Sequence, residues 1–141
     1  VSDRDYLYDA RINPIANFPD GGFVIFGQKT MQITQSALDR VNVRRLLIDI
    51  RRKVRTVANQ ILFEPNREAT LARFSALVNP ILGRIQAQQG LDRYKVVIDT
   101  TTTTQQDVEN NTIRGKIFLQ PTRSIEFISL DFVITNAGAE I

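Results

Sequence analysis

Six cations lie between residues 44 and 55: Arg44, Arg45, Arg51, Arg52, Lys53 and Arg55. Their types and spacing could do chemistry. A guanidinium presents a planar fork of donors that pairs with carboxylates or phosphates and keeps its charge at any working pH. That chemistry is recognition of negative charge, not proton transfer. Histidine and cysteine are both absent from the 141 residues. Their absence removes the commonest metal ligand, the usual general base near neutral pH, disulfides, thiolate metal sites and cysteine nucleophiles. Carboxylate–lysine or serine–lysine chemistry is left, yet no nucleophile–base pair is evident and the carboxylates lack metal-ligand spacing. Gly27, Gly90 and Gly115 show no phosphate-loop spacing. No catalytic residue, metal site or cofactor is assigned.

The element that must carry the cations is a long helix predicted from about Ser36 to about Phe63. Apolar residues fall at Val43, Leu47, Ile50, Val54, Val57 and Ile61, alternating steps of four and three, which is one buried helix face. At about 100° per residue, the arginines centre roughly opposite that stripe. Ser36 with Asp39 three residues on fits a capping box, and the helix should stop before Pro65. The segment carries seven basic residues against Asp39 and Asp49, a net +5 in a chain whose total is +3. Basicity is therefore a local surface feature.

A length of 141 residues suits one domain with a real core, and 43% hydrophobic with 23% charged residues is ordinary for a globular domain. No apolar run is long enough to cross a bilayer as a helix. Residues 1–22 read as an irregular lead-in with a helical turn near Tyr6–Ala10, and the opening VSDRDYLYDA as an internal cut through a longer protein. Phe23–Phe26 reads as a short buried strand ended by Gly27. Asn66 can cap a second helix, whose apolar positions are Leu71, Phe74, Leu77, Val78, Ile81, Leu82 and Ile85; Pro80 should kink or break it and Gly90 should terminate it. Tyr94–Asp99 and Ile113–Gln120 read as strands, with Thr100–Asn111 between them as a solvated loop. Ser124–Asn136 reads as a long third strand. Ile128, Leu130, Phe132 and Ile134 lie on one face of it, and Ile125 and Phe127 on the other. So apolar a strand is unsafe as an exposed edge, so it is either central in its own sheet or paired with another subunit. The expected architecture is α/β, two main helices packed on a small mixed sheet.

Several strings in this order resemble the C-terminal domain of tail sheath proteins of contractile-tailed bacteriophages. They are Ile12-Asn13-Pro14-Ile15, the run Gly22–Thr30 (GFVIFGQKT), Asp39–Leu46 (DRVNVRRL), Leu62–Asn66 (LFEPN), Gln120–Ile128 (QPTRSIEFI) and Asn136–Ala139 (NAGA). The resemblance implies the inner layer of a helical sheath around a rigid tail tube, with residues 23–141 as the domain and 1–22 leading in from outer domains. It implies neighbouring copies that complete one another's sheets by exchanged arms, here residues 124–141, and a mesh that survives contraction as the tube is driven through the host envelope. It further implies tail tube, baseplate and tail terminator proteins as partners, no nucleic acid or membrane insertion, and residence in the virion after assembly in the host cytoplasm.

Each feature has a plainer reading beside this one. The arginine stripe can be simply the solvated face of an amphipathic helix, or it can face an acidic tube surface or a neighbouring subunit. Asp39 or Asp49 could pair internally with an arginine. A basic nucleic-acid-binding module is the alternative function, but it wants stacking aromatics or a groove-reading motif, and the helix offers only Phe63 at its far end.

Overall fold

The computed structural model describes residues 3–124 together with Glu126 and Ser129. Helix α1 (Asp3–Asp9) leads into a hairpin of β1 (Ile15–Phe18) and β2 (Gly22–Ile25), antiparallel with Ile15 facing Ile25 and Phe18 facing Gly22. Gly22 holds a φ of 64°, a left-handed turn conformation that glycine adopts without a Cβ clash. The strand expected to be buried is here but largely exposed, with Phe23 at 80% and Ile25 at 75%. A two-stranded ribbon covers only one face. Ala16 is buried and Val24 half-buried on that face, and alternation turns Phe23 and Ile25 outward.

The long helix begins later than its periodicity implies. Ser36 Oγ accepts from the Leu38 N–H at 3.1 Å and caps a 3-10 turn, Ala37–Asp39. Arg40 is then extended, and α2 runs Val41–Gln60. The Ser36–Asp39 capping box does not form. The backbone is used differently: Thr30 N–H donates to Asp39 O and Val41 N–H to Gln28 O, which requires the chain at Arg40 to be strand-like.

Helix α3 (Glu68–Ala87) follows, as expected after Pro65. Its N-cap position is Arg67; Asn66 instead donates Nδ2 to Thr112 O at 3.1 Å, tying the interhelical corner to a distant loop. Pro80 lies within α3 without breaking it. Val78 and Leu82, completely buried on either side, hold the two halves on one core. At the C-terminus the left-handed position falls on Gln89, not Gly90, at φ 60°. Gly90 serves close approach instead: its N–H bonds Ile85 O, and a Cβ there would lie 3.0 Å from Ile85 Cγ2.

Strands β3 (Leu91–Val97) and β4 (Lys116–Pro121) pair antiparallel, Tyr94 facing Leu119 and Val97 facing Lys116. Among the described residues the sheets are thus two antiparallel ribbons, not one mixed sheet. The connections explain this, since each ribbon's strands run in opposite directions and no helix crosses between parallel neighbours. The threonine-rich segment is not all loop. Thr104 and Asp107 form a reciprocal capping box on α4 (Gln105–Glu109), and Arg114 Nε binds Asp107 Oδ1 at 2.7 Å. The third expected strand, with Ile125, Phe127, Ile128, Leu130, Phe132 and Ile134, lies outside the described residues.

The core lies between α2, α3 and the β3–β4 ribbon. Ile50, Val57 and Ile61 meet Phe74, Val78, Leu82, Ile85 and Leu91, with Val54, Leu77, Ile81, Val96 and Ile117 at its margin. Leu82→Ala should lower unfolding free energy by about 2–5 kcal/mol, read from urea denaturation, because the cavity has no room to collapse at a fully buried site.

The capping box yields a pH prediction. The Thr104 N–H, then the Arg114 guanidinium and the Thr104 hydroxyl, hold the Asp107 carboxyl down to about 2 from 3.8. The folded value is depressed, so the carboxylate's contribution is complete above about 3.8 and disappears as pH falls through about 2. Amide exchange across Gln105–Glu109 should accelerate over that window and be unaffected by pH above it once intrinsic exchange rates are corrected for. Asp107→Asn should remove the dependence.

Candidate assembly surface

Helix α2 displays its cations as a face. Arg44, Arg45, Arg51, Arg52, Lys53 and Arg55 are all exposed, while Val43, Ile50 and Val57 are buried on the opposite side. The sequence-predicted cluster is therefore brought together, over about 16 Å of helix from Arg44 to Arg55 at 1.5 Å per residue.

The six cations are not equivalent. Arg44 is pinned in place, its Nε donating to Leu38 O at 2.9 Å and its Nη2 to Gln32 Oε1 at 2.7 Å. Lys53 pairs with Asp49 at 2.6 Å one helical turn away, so Asp49 neutralises a lysine on the flank and not an arginine. Asp39 pairs with Arg40 at 3.4 Å, outside the stripe. Among the described residues, the side chains of Arg45, Arg51, Arg52 and Arg55 have no hydrogen-bonding or ion-pair partner. Arg51 and Arg55, four apart, instead repel each other, a cost of about 0.2–0.5 kcal/mol in an isolated helix.

One member of this face escapes a reading for charge. Ile48 is 68% exposed, and the positions four and three before it and three and four after it are Arg44, Arg45, Arg51 and Arg52. Its signal in the sequence is an apolar residue off the buried stripe with an arginine at every helical neighbour position.

A second constellation lies at the N-terminal end of α2, built from residues far apart in sequence. Arg40 grips Glu126 with two bonds, Nε to Oε1 at 2.5 Å and Nη2 to Oε2 at 3.1 Å, and Tyr8 donates its hydroxyl to Glu126 Oε2 at 2.9 Å. Burial, followed by the bond to Glu126, raises the Tyr8 pKa above its usual value, and the Glu126 bond raises that of Arg40. Lys29 Nζ stands 3.7 Å from the Tyr8 ring centroid and donates to Tyr8 O, while Asn13 brackets the Lys29 backbone with two 2.9 Å bonds. No sequence periodicity points to this cluster, because its members lie up to 118 positions apart.

A cleft of about 710 Å³ opens between the C-terminal end of α2 and the β3–β4 ribbon, lined mainly by apolar residues including Ile61, Phe63, Phe74, Val96 and Ile117. Among the described residues no three His, Cys, Asp or Glu groups gather to hold a metal, and no helix is long and apolar enough to cross a membrane.

These features describe an α/β domain with an exposed cationic helix face, four of whose guanidiniums lack an ion-pair partner among the described residues. Residues 34–135 match the phage tail sheath C-terminal domain family, and the chain belongs to that family, a structural class and not an enzyme class. It is 37% identical over 97% of its length to the tail sheath protein of Vibrio phage KVP40, and 36% identical over 97% to that of Enterobacteria phage T4. It is also 32% identical over 98% to the tail sheath protein of Salmonella phage ViI. The chain spans about a fifth of the length of these curated relatives (20%, 21% and 22%). Solved structures of contractile injection systems share the fold. The sheath complex of an extracellular contractile injection system in its contracted state superposes at TM-score 0.83 with 29% identity. That match covers 94% of this chain and 40% of the other. The anti-feeding prophage baseplate superposes at 0.81 with 25% identity over 96% and 40%. The nucleic-acid-binding alternative finds no support among these relatives.

Arg40→Ala should release Glu126 and leave the Tyr8 hydroxyl with a single mobile acceptor. We expect a loss of about 1 kcal/mol, modest because the pair is partly solvated, with amide exchange quickening around Tyr8 and Val41 and unchanged around Leu82.

Proposed function

We propose that this domain is the inner, C-terminal part of a contractile tail sheath subunit, packed as a layer around the tail tube. The reading rests on the family membership of residues 34–135 and on the guanidinium groups of α2 that have no partner among the described residues. Arg45, Arg51, Arg52 and Arg55, with Arg44 and Lys53 at the margin, face an acidic tube surface or a neighbouring copy. Exposed ion pairs contribute only about 0.2–1 kcal/mol each, so a sheath can hold its tube through many copies and still let go. Copies of the chain polymerise helically, with baseplate and tail terminator proteins at the ends, in the virion after assembly in the host cytoplasm.

Connectivity during contraction comes from strand exchange. The segment 124–141, with Ile125, Phe127, Ile128, Leu130, Phe132 and Ile134, adds to a neighbour's sheet, and residues 1–22 lead in from outer domains. Two-stranded ribbons are marginal alone and leave edges for further strands, which supports this. Domains then rotate as rigid bodies between extended and contracted packings.

Charge reversal tests the tube-facing assignment. The triple change Arg51→Glu, Arg52→Glu, Arg55→Glu in the full-length protein should abolish sheath assembly on tube protein in negative-stain electron microscopy, with circular dichroism and melting unchanged. Undiminished co-assembly would assign the arginines elsewhere.

A further inference from the structure

The arginine face has an apolar centre. Ile48 projects from the middle of the cationic cluster, 68% exposed, with arginines at all four of its nearest positions on the helix surface. If the face were only solvated, a charged or polar residue would serve as well at this position. Isolated exposed isoleucines are common and need no explanation. What distinguishes this one is the ring around it. Arg44 is fixed by Leu38 O and Gln32, and the guanidiniums of Arg45, Arg51 and Arg52 have no partner among the described residues. The nearest acid on the helix, Asp49, is taken up by Lys53. An apolar residue enclosed by groups that would become desolvated with it is the anatomy of a binding anchor: a dry centre with a charged rim.

We infer that Ile48 is the apolar anchor of this face, and that the surface it meets is an acidic protein surface carrying an apolar hollow ringed by carboxylates. The inference deepens the tube-facing reading above and rests on it. The ring of guanidiniums selects a negative rim, and the isoleucine requires a hollow at its centre. Phosphate backbones offer the first without the second, so a protein partner fits the face better than a nucleic acid. The two parts do different work. The arginines give long-range, salt-screened attraction. Ile48 gives short-range attachment that salt does not weaken, because it depends on apolar area removed from water.

This division of labour is measurable. Full-length protein is co-sedimented with preformed tube polymers across a salt series, for the natural sequence and for Ile48→Ser, Ile48→Leu and Arg51→Gln/Arg52→Gln. Ile48→Ser should weaken apparent affinity by roughly tenfold or more at every salt concentration, leaving the slope against salt unchanged. Ile48→Leu should restore attachment. The double arginine change should flatten the salt dependence. Ile48 lies on the surface, so these variants should fold normally, with melting temperatures equal to that of the natural sequence.

Three results would overturn the inference. If Ile48→Ser attaches like the natural sequence while the arginine variant is impaired, the isoleucine is a bystander on a tube-facing surface. If both variants attach normally, the tube-facing reading itself fails. If Ile48→Ser blocks polymerisation without tube protein present, the occupant is a second copy of this chain.

Discussion

The packing of α2 against α3 and the β3–β4 ribbon is the constraint from which the rest of the domain follows. Ile50, Val57 and Ile61 enter a core with Phe74, Val78, Leu82 and Ile85. That contact fixes the rotation of a 20-residue helix about its own axis. A turn of one residue, about 100°, would bring cations toward the core and expose isoleucine. Burying an unpaired guanidinium carries a far larger cost than a misplaced methyl group. The buried stripe thus dictates where the positive face points, and the face needs no interactions of its own to be held there.

Several charges in the domain are settled by local ion pairs. Glu64 meets Arg73, Asp107 meets Arg114, Asp49 meets Lys53, Asp9 meets Lys29, and Glu126 meets Arg40. On one side of α2, by contrast, the guanidiniums of Arg45, Arg51, Arg52 and Arg55 have no ion-pair partner among the described residues. Such an array destabilises the isolated domain slightly through its own repulsion. A negative surface in contact with the array would relieve that repulsion.

The N-terminal hairpin is held by a different kind of force. It buries little beyond Pro14 and Ala16, so apolar area cannot fix its position. Directional bonds do so instead. Asn13 clasps the Lys29 backbone, Arg11 donates to the carbonyls of Gln32 and Ile33, and Arg4 lies over the Phe18 and Phe26 rings at 5.2 and 5.4 Å. The outward face, Ile15, Phe23 and Ile25, is exposed. Polar clasps set orientation without requiring a large core, which suits a small ribbon attached to the edge of a domain.

The two helices and their core stripes could be read from the sequence, because helical periodicity is local: the same spacing that places Val43, Ile50 and Val57 on one side places Arg44, Arg51 and Arg55 on the other. The family strings were legible for the same reason, as contiguous runs such as DRVNVRRL. The late start of α2 was not, since it depends on Gln28 and Thr30 claiming the backbone around Arg40. Nor was the role of Asn66, drawn away from capping by Thr112. The cap on α4 was written in the sequence as Thr104 and Asp107, but a run of five threonines masked it. The Arg40–Glu126–Tyr8 cluster, the antiparallel pairing and the exposure of Phe23 were decided by tertiary structure alone. Each depends on which distant segments meet, and no local period encodes that.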